Sequence, residues 1–88
     1  MTRLDKPIRM SGHARDQLVF RGGTEQEVIE TIRTGSWQPA ERGRLECHKD
    51  FAFNAIWNRR FYATKRVRPI FVEELEVITV VTVYVYYF

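Results

Sequence analysis

Cysteine is nearly absent: Cys47 is the single one in 88 residues, so no internal disulfide framework can form. Histidine is almost as scarce. His13, Cys47 and His48 offer no CxxC or HxxxH spacing, and a tetrahedral metal site needs more ligands than these. No cofactor or metal is expected. No apolar run reaches the ~18 residues of a membrane span, and the opening "MTRLDKPIRM" lacks the apolar core of a signal peptide. The closing "VITVVTVYVYYF" is too short to span as a helix, and its β-branched and aromatic content reads as a strand. Repeats, linkers and low-complexity stretches are missing too. The expectation is one domain over 1–88, cytoplasmic and without a membrane partner.

What is present is an ordinary apolar fraction of 44%, enough for a globular core. A chain this short buries only about 60–65% of its unfolded surface. Stability should be modest, which leaves room for a homodimer or another partner to add to it. The net charge of +3 hides an asymmetry. Between Arg42 and Arg68 eight basic residues face only Glu46 and Asp50, a local excess of six. Eleven of the fourteen cations are arginine, whose planar fork suits phosphate. The stretch "RRFYATKRVRPIF" (59–71) sets three aromatics among five of these cations.

Periodicity places the elements. "PIRM" (7–10) reads as a short edge strand opened by Pro7. Ser11 caps a helix over roughly 12–21, with Ala14 and Leu18 inward and His13, Gln17 and Arg21 on the neighbouring face. Gly22-Gly23 ends it. Thr24 and Glu27 form a capping box for a second helix over 24–34, with Val28, Ile29 and Ile32 buried. From Gly43 the period becomes two: Leu45, Cys47, Phe51 and Phe53 alternate with Arg44, Glu46 and His48. "NAIWN" (54–58) reads as the connection to a strand over about 60–67, and Pro69 argues for an edge, a bulge or a break. "EELE" turns into a last strand, 77–87, apolar on both faces and so expected to be central and covered. The sum is an α+β domain, a helical hairpin on a twisted antiparallel sheet of three or four strands.

Chemistry is sought in the basic region. Tyr62, Thr64, Arg66 and Arg68 share one face of their strand, and Lys65 shares the apolar face with Phe61, Ala63 and Val67. Lys49 likewise sits among Leu45, Cys47, Phe51 and Phe53. Each lysine must snorkel to an edge or line a concave site, because a buried unpaired ammonium is costly. Lys49 also fits a bulge with His48 and Asp50. Arginine and lysine neutralise phosphates, and Tyr62, Trp57, Tyr84, Tyr86 and Tyr87 are candidates to stack on unpaired bases. For Trp57 core packing is the plainer reading, and Cys47 reads as a small buried hydrophobe.

His13 reads equally as a packed residue bonded to a neighbouring strand. His48, beside Lys49 and Arg44, is the better acid–base candidate. Ribonuclease chemistry through a 2′,3′-cyclic phosphate needs only a base, a proton donor and cations on the phosphate. The expected assignment is His48, Lys65 and Tyr84 for catalysis, with Lys49, Arg60, Arg66 and Arg68 holding RNA. A non-catalytic module that binds nucleic acid or an acidic protein through the same face is the alternative.

"SGHARDQLVFRGGTEQEVIETIRTG", the basic β region and the closing "VITVVTVY" together resemble a family of small prokaryotic domains of unknown function. The likeness runs from about Ile8 to Tyr87. His13, Ala14, Arg21 and Gly22 fall on that family's HA…RG signature, Gln17 stands where an arginine is common, and Thr82, Val83 and Tyr84 match its closing motif. The family in turn resembles the RelE/ParE-like toxin superfamily, including BrnT-type toxins. That resemblance implies a helical hairpin on a twisted sheet and cleavage of RNA, often mRNA on the ribosome, without a metal. It also implies silencing by an antitoxin.

Overall fold

A computed structural model describes residues 5–88; residues 1–4, part of the stretch read above against a signal peptide, lie outside the described residues. The chain runs β1 (Ile8–Met10), α1 (Gly12–Arg21), α2 (Glu25–Thr34), β2 (Gln38–Pro39), a turn at Glu41–Gly43, β3 (Leu45–Glu46), β4 (Lys49–Trp57), β5 (Arg60–Glu73) and β6 (Ile78–Tyr87). It is an α+β fold. The sheet has six strands, more than the three or four expected, and it is mixed, because β1 runs parallel to β6 while the other pairs are antiparallel.

Both helices begin where the caps require. Ser11 Oγ accepts from the Ala14 amide, and Thr24 and Glu27 close a reciprocal capping box, which satisfies amides that have no partner inside the helix. Gly22 ends α1 at φ +72°; a Cβ there would meet Tyr87 Oη at 2.6 Å and Trp57 at 2.7 Å, so glycine is required on both counts. α1 packs on β6 and α2 on β5. Between them lie Ala14, Leu18, Val28, Ile32, Cys47, Val67, Phe71, Val80 and Val83. Each large apolar side chain taken out of water there contributes about 1.5–3 kcal/mol. Ile29 is only half-buried, and Thr31 fills the stripe beside Val28 and Ile32 instead.

Pro69 lies in the middle of the sheet rather than at an edge. Thr64 and Phe88 exchange both backbone hydrogen bonds, so residues 66, 68 and 70 bond β6 while 65, 67 and 69 turn toward β3 and β4. The pairings Leu45↔Phe71 and Glu46↔Ile70 continue in the same register at Lys49↔Val67. β3 and β4 are therefore one line of chain, interrupted only at Cys47 and His48, opposite the proline that has no N–H to give. The bulge expected near Pro69 falls one step on, between Ile70 and Phe71.

Two further expectations are corrected. "NAIWN" is no connection: β4 runs through it to Trp57, with a bulge at Asn54 (φ +47°) between Ala52 and Ala55. Only Asn58 and Arg59, both at positive φ, turn the chain into β5. β6 is not covered on both faces. Its helix side is buried, whereas Thr82 and Tyr84 are half-buried and Tyr86 and Phe88 exposed on the side where no helix packs.

Candidate active site

Three rungs cross the open face, one residue from each of three strands. Asp50↔Arg66↔Tyr86 and Glu46↔Ile70↔Thr82 follow from the pairing of β3, β4, β5 and β6. Cys47 and His48 form no ladder pair, but the same register on both sides of them sets His48 opposite Arg68, which pairs with Tyr84. Cys47 is buried, so its neighbour His48 must point to the open side, and it is exposed there. His48 and Tyr84 thus flank Arg68 from strands on either side, roughly 10 Å apart at the backbone.

The rungs are knitted by charge and rings. Arg66 grips Asp50 with Nε and Nη2 at 2.6 and 3.0 Å. That hydrogen bond holds the Asp50 carboxyl below its usual range, partial burial opposes it, and the charges of Arg66 and His48 add to it. Arg68 donates to Glu46 at 2.9 Å and to Tyr86 Oη at 3.2 Å, which together hold the guanidinium above its usual value. Its Cζ lies 5.3 Å from the Tyr84 ring centroid, and the Cζ of Arg21 lies 5.1 Å from the same ring. Tyr84 and Tyr86 stack at 6.4 Å with an interplanar angle of 15°.

Arg21 reaches this face from α1 by wrapping the edge of β6. Its Nη1 donates to the Val83 carbonyl at 2.6 Å, while Gln17 Oε1 accepts from the Val83 amide at 2.8 Å. The helix face of His13, Gln17 and Arg21 therefore supplies two contacts to one backbone unit. His13, on the first turn, is exposed, not packed against a strand.

Beside the rungs lies a groove of about 380 Å³. Ile70, Thr82 and Tyr84 line it along the sheet, with Arg42, Arg44, Glu46 and Arg68 around them. Arg42 (φ +61°) and Gly43 (φ +71°) are consecutive left-handed residues in the turn that forms its rim.

Other expected site residues lie elsewhere. Lys65 is 5% exposed and on the helix side. Its Nζ meets Glu27 at 2.9 Å and the Gly22 carbonyl at 2.5 Å, and lies 5.7 Å from the Phe53 ring centroid. The ammonium is fully used in joining β5 to the helical hairpin, so it does not reach the open face. Lys49 also turns to the helices, 3.6 Å from Glu30, with no reset of register around it. Arg60 is exposed at the far end of the β4–β5 hairpin. Trp57 and Tyr62 pack on Tyr87, at 5.1 and 5.8 Å. Sequence reasoning passed over Glu46, Arg42 and Arg44 as site residues; the strand alternation that pairs Glu46 with His48 on one face was the available signal.

Among the described residues no three His, Cys, Asp or Glu side chains converge as a metal-ligand set, and no helix is long and apolar enough to cross a membrane. No protein-family model, curated protein or solved structure matches this chain.

Proposed function

We propose that the open sheet face is the active site of an endoribonuclease that cleaves RNA by internal transesterification. The observation that carries this reading is the His48–Arg68–Tyr84 rung. A phosphodiester laid over Arg68 has an imidazole on one side and a phenol on the other. His48 takes the 2′-hydroxyl proton as the 2′-oxygen bonds to phosphorus. The bond from phosphorus to the 5′-oxygen breaks, and that oxygen receives the Tyr84 proton. The products are a 2′,3′-cyclic phosphate and a 5′-hydroxyl. Arg68 stabilises the charge that gathers on the phosphate. Arg21, stacked on Tyr84 and anchored to Val83, holds the phenol in place.

This reading agrees with the resemblance to the RelE/ParE-like toxins, and it keeps their wider expectations as proposals: inhibition of translation, mRNA as substrate on the ribosome, an antitoxin partner and a cytoplasmic site of action. It departs from the sequence-based expectation at three residues: Lys65 and Lys49 face the helices, and Arg60 lies at the far end of the β4–β5 hairpin. Lys65 acts on the fold, and Arg68 takes the role on the phosphate.

The test is a purified translation mixture dosed with the chain, with message ends mapped by primer extension. New discrete ends are expected. His48→Ala and Tyr84→Phe should each slow their appearance by about 10²-fold or more while the protein stays folded. Intact message in the presence of ribosomes, or full cleavage by the folded double variant, rejects the assignment.

A second reading has one observation in its favour. Arg66 and Arg68 are already paired with Asp50 and Glu46, as suits a face that exchanges partners rather than one that performs a reaction. A non-catalytic binding module predicts salt-sensitive RNA binding with no product.

A further inference from the structure

Resting on the reading of the open face as an RNA-cleaving surface, we infer that the groove beside the rung is a guanine pocket, with Glu46 and Arg44 as its specificity-determining residues. The groove touches the rung directly, since Arg68 and Tyr84 line both. A base attached to the sugar next to a phosphate held by Arg68 has this concave surface beside it. At about 380 Å³ it falls in the size range of small-ligand sites.

Its polar lining is of two kinds. Glu46 presents a carboxylate, which only accepts hydrogen bonds. It is fixed by Arg68 at 2.9 Å and has a second oxygen to offer. Arg42 and Arg44 present forked donors, and neither makes an ion pair among the described residues. Guanine alone among the bases matches both. Its N1–H and N2–H₂ stand side by side as two donors for a carboxylate, and its O6 and N7 are the acceptors that arginine reads in bidentate fashion. Adenine, cytosine and uracil each offer the carboxylate one donor with an acceptor or a carbon beside it. Ile70 and the Tyr84 ring supply the apolar contact. Glu41 also borders the groove, and its charge adds to the preference for a donor-bearing edge. The backbone is shaped to the same end: left-handed Arg42 and Gly43 fold the rim back, with the Ala40 amide donating to the Arg44 carbonyl at 2.8 Å.

The experiment is calorimetric titration of the full chain with the 3′-monophosphates of guanosine, adenosine, cytidine and uridine at low salt. Guanosine 3′-monophosphate is expected to bind about tenfold tighter than the others or better. Glu46→Gln and Arg44→Ala, each checked by its thermal midpoint, should bring it to within about twofold of them. Equal affinity for all four, no detectable binding at millimolar nucleotide, or an unchanged preference in both folded variants overturns the inference. The two proposals part cleanly. Selective guanosine binding without cleavage of any RNA keeps the pocket and sinks the nuclease; cleavage indifferent to the base does the reverse.

Discussion

Lys65 shows how far a residue's setting outweighs its type. The sequence puts it on an apolar face, and a lysine there must either escape or find a partner. It finds two, plus a ring. Glu27 is shared: the same Oε1 accepts from the Thr24 amide at 3.0 Å to close the capping box and meets Lys65 at 2.9 Å. Lys65→Ala is therefore expected to cost about 3–5 kcal/mol, the range for breaking a buried pair and leaving one charge behind. Urea denaturation measures it, and a loss below 1 kcal/mol would mean that water already reaches the pair. Cys47 gives the second prediction at this scale. Burial first, and the Glu46 charge second, push its thiol up to about 12. The native thiol should resist iodoacetamide at pH 8 and react only as the protein unfolds. Because the folded value lies above the unfolded one, the associated stability is complete below about pH 8.5 and declines at higher pH, by at most about 1.4 kcal/mol per unit. Cys47→Ala should flatten that alkaline decline in a denaturation series; an equally steep decline in the variant would assign it to other groups.

Elements that depend on local signals were legible in the chain, and those that depend on distant partners were not. The two capped helices and the alternation from Leu45 to Phe53 follow from neighbours three, four or two residues away. The parallel pairing of Ile8–Met10 with Ile78–Val80 joins segments seventy residues apart, and no local pattern encodes it. Pro69 left edge, bulge and break open for the same reason: a central strand admits it only if no partner needs its N–H, and the partner strand is interrupted there, with a bulge one step on. On the site, alternation alone brought Arg66 and Arg68 onto one face, whereas Tyr84 joins them through the register of β5 with β6. Alternation did not reveal that Gln17 and Arg21 guard the outer edge of β6. Both polar groups of Val83 point outward there and are taken by these side chains, which blocks one rung of strand addition. Replacing both with alanine should cost about 1 kcal/mol per lost bond and speed hydrogen exchange at the Val83 amide. Unchanged protection in exchange spectra would show that some other group covers that edge.

Taken whole, the molecule is less cationic toward a ligand than its arginine count suggests. Eight basic residues lie between Arg42 and Arg68, but Lys49, Lys65, Arg66 and Arg68 are each held by a carboxylate, and only Arg42, Arg44, Arg59 and Arg60 are without an ion pair among the described residues. Of these four, Arg59 and Arg60 sit at the end of the β4–β5 hairpin, beyond the groove that Arg42 and Arg44 line. A single strand bound over the rung thus gains few new cation–phosphate contacts, because Arg66 and Arg68 already carry Asp50 and Glu46 as counter-charges. Each neutralised phosphate on a single strand contributes about −0.7 to the slope of log affinity against log salt. The slope for a non-cleavable 2′-O-methyl RNA, followed by fluorescence anisotropy, should then lie near −1.5 to −3, about two to four phosphates. Full use of all eight cations would give about −5 to −6. Asp50→Asn releases Arg66 and is expected to steepen the slope by about one phosphate's worth. A steep slope in the wild-type protein, unmoved by that substitution, would mean that RNA already strips the carboxylates from their arginines and that the ion pairs place no limit on binding.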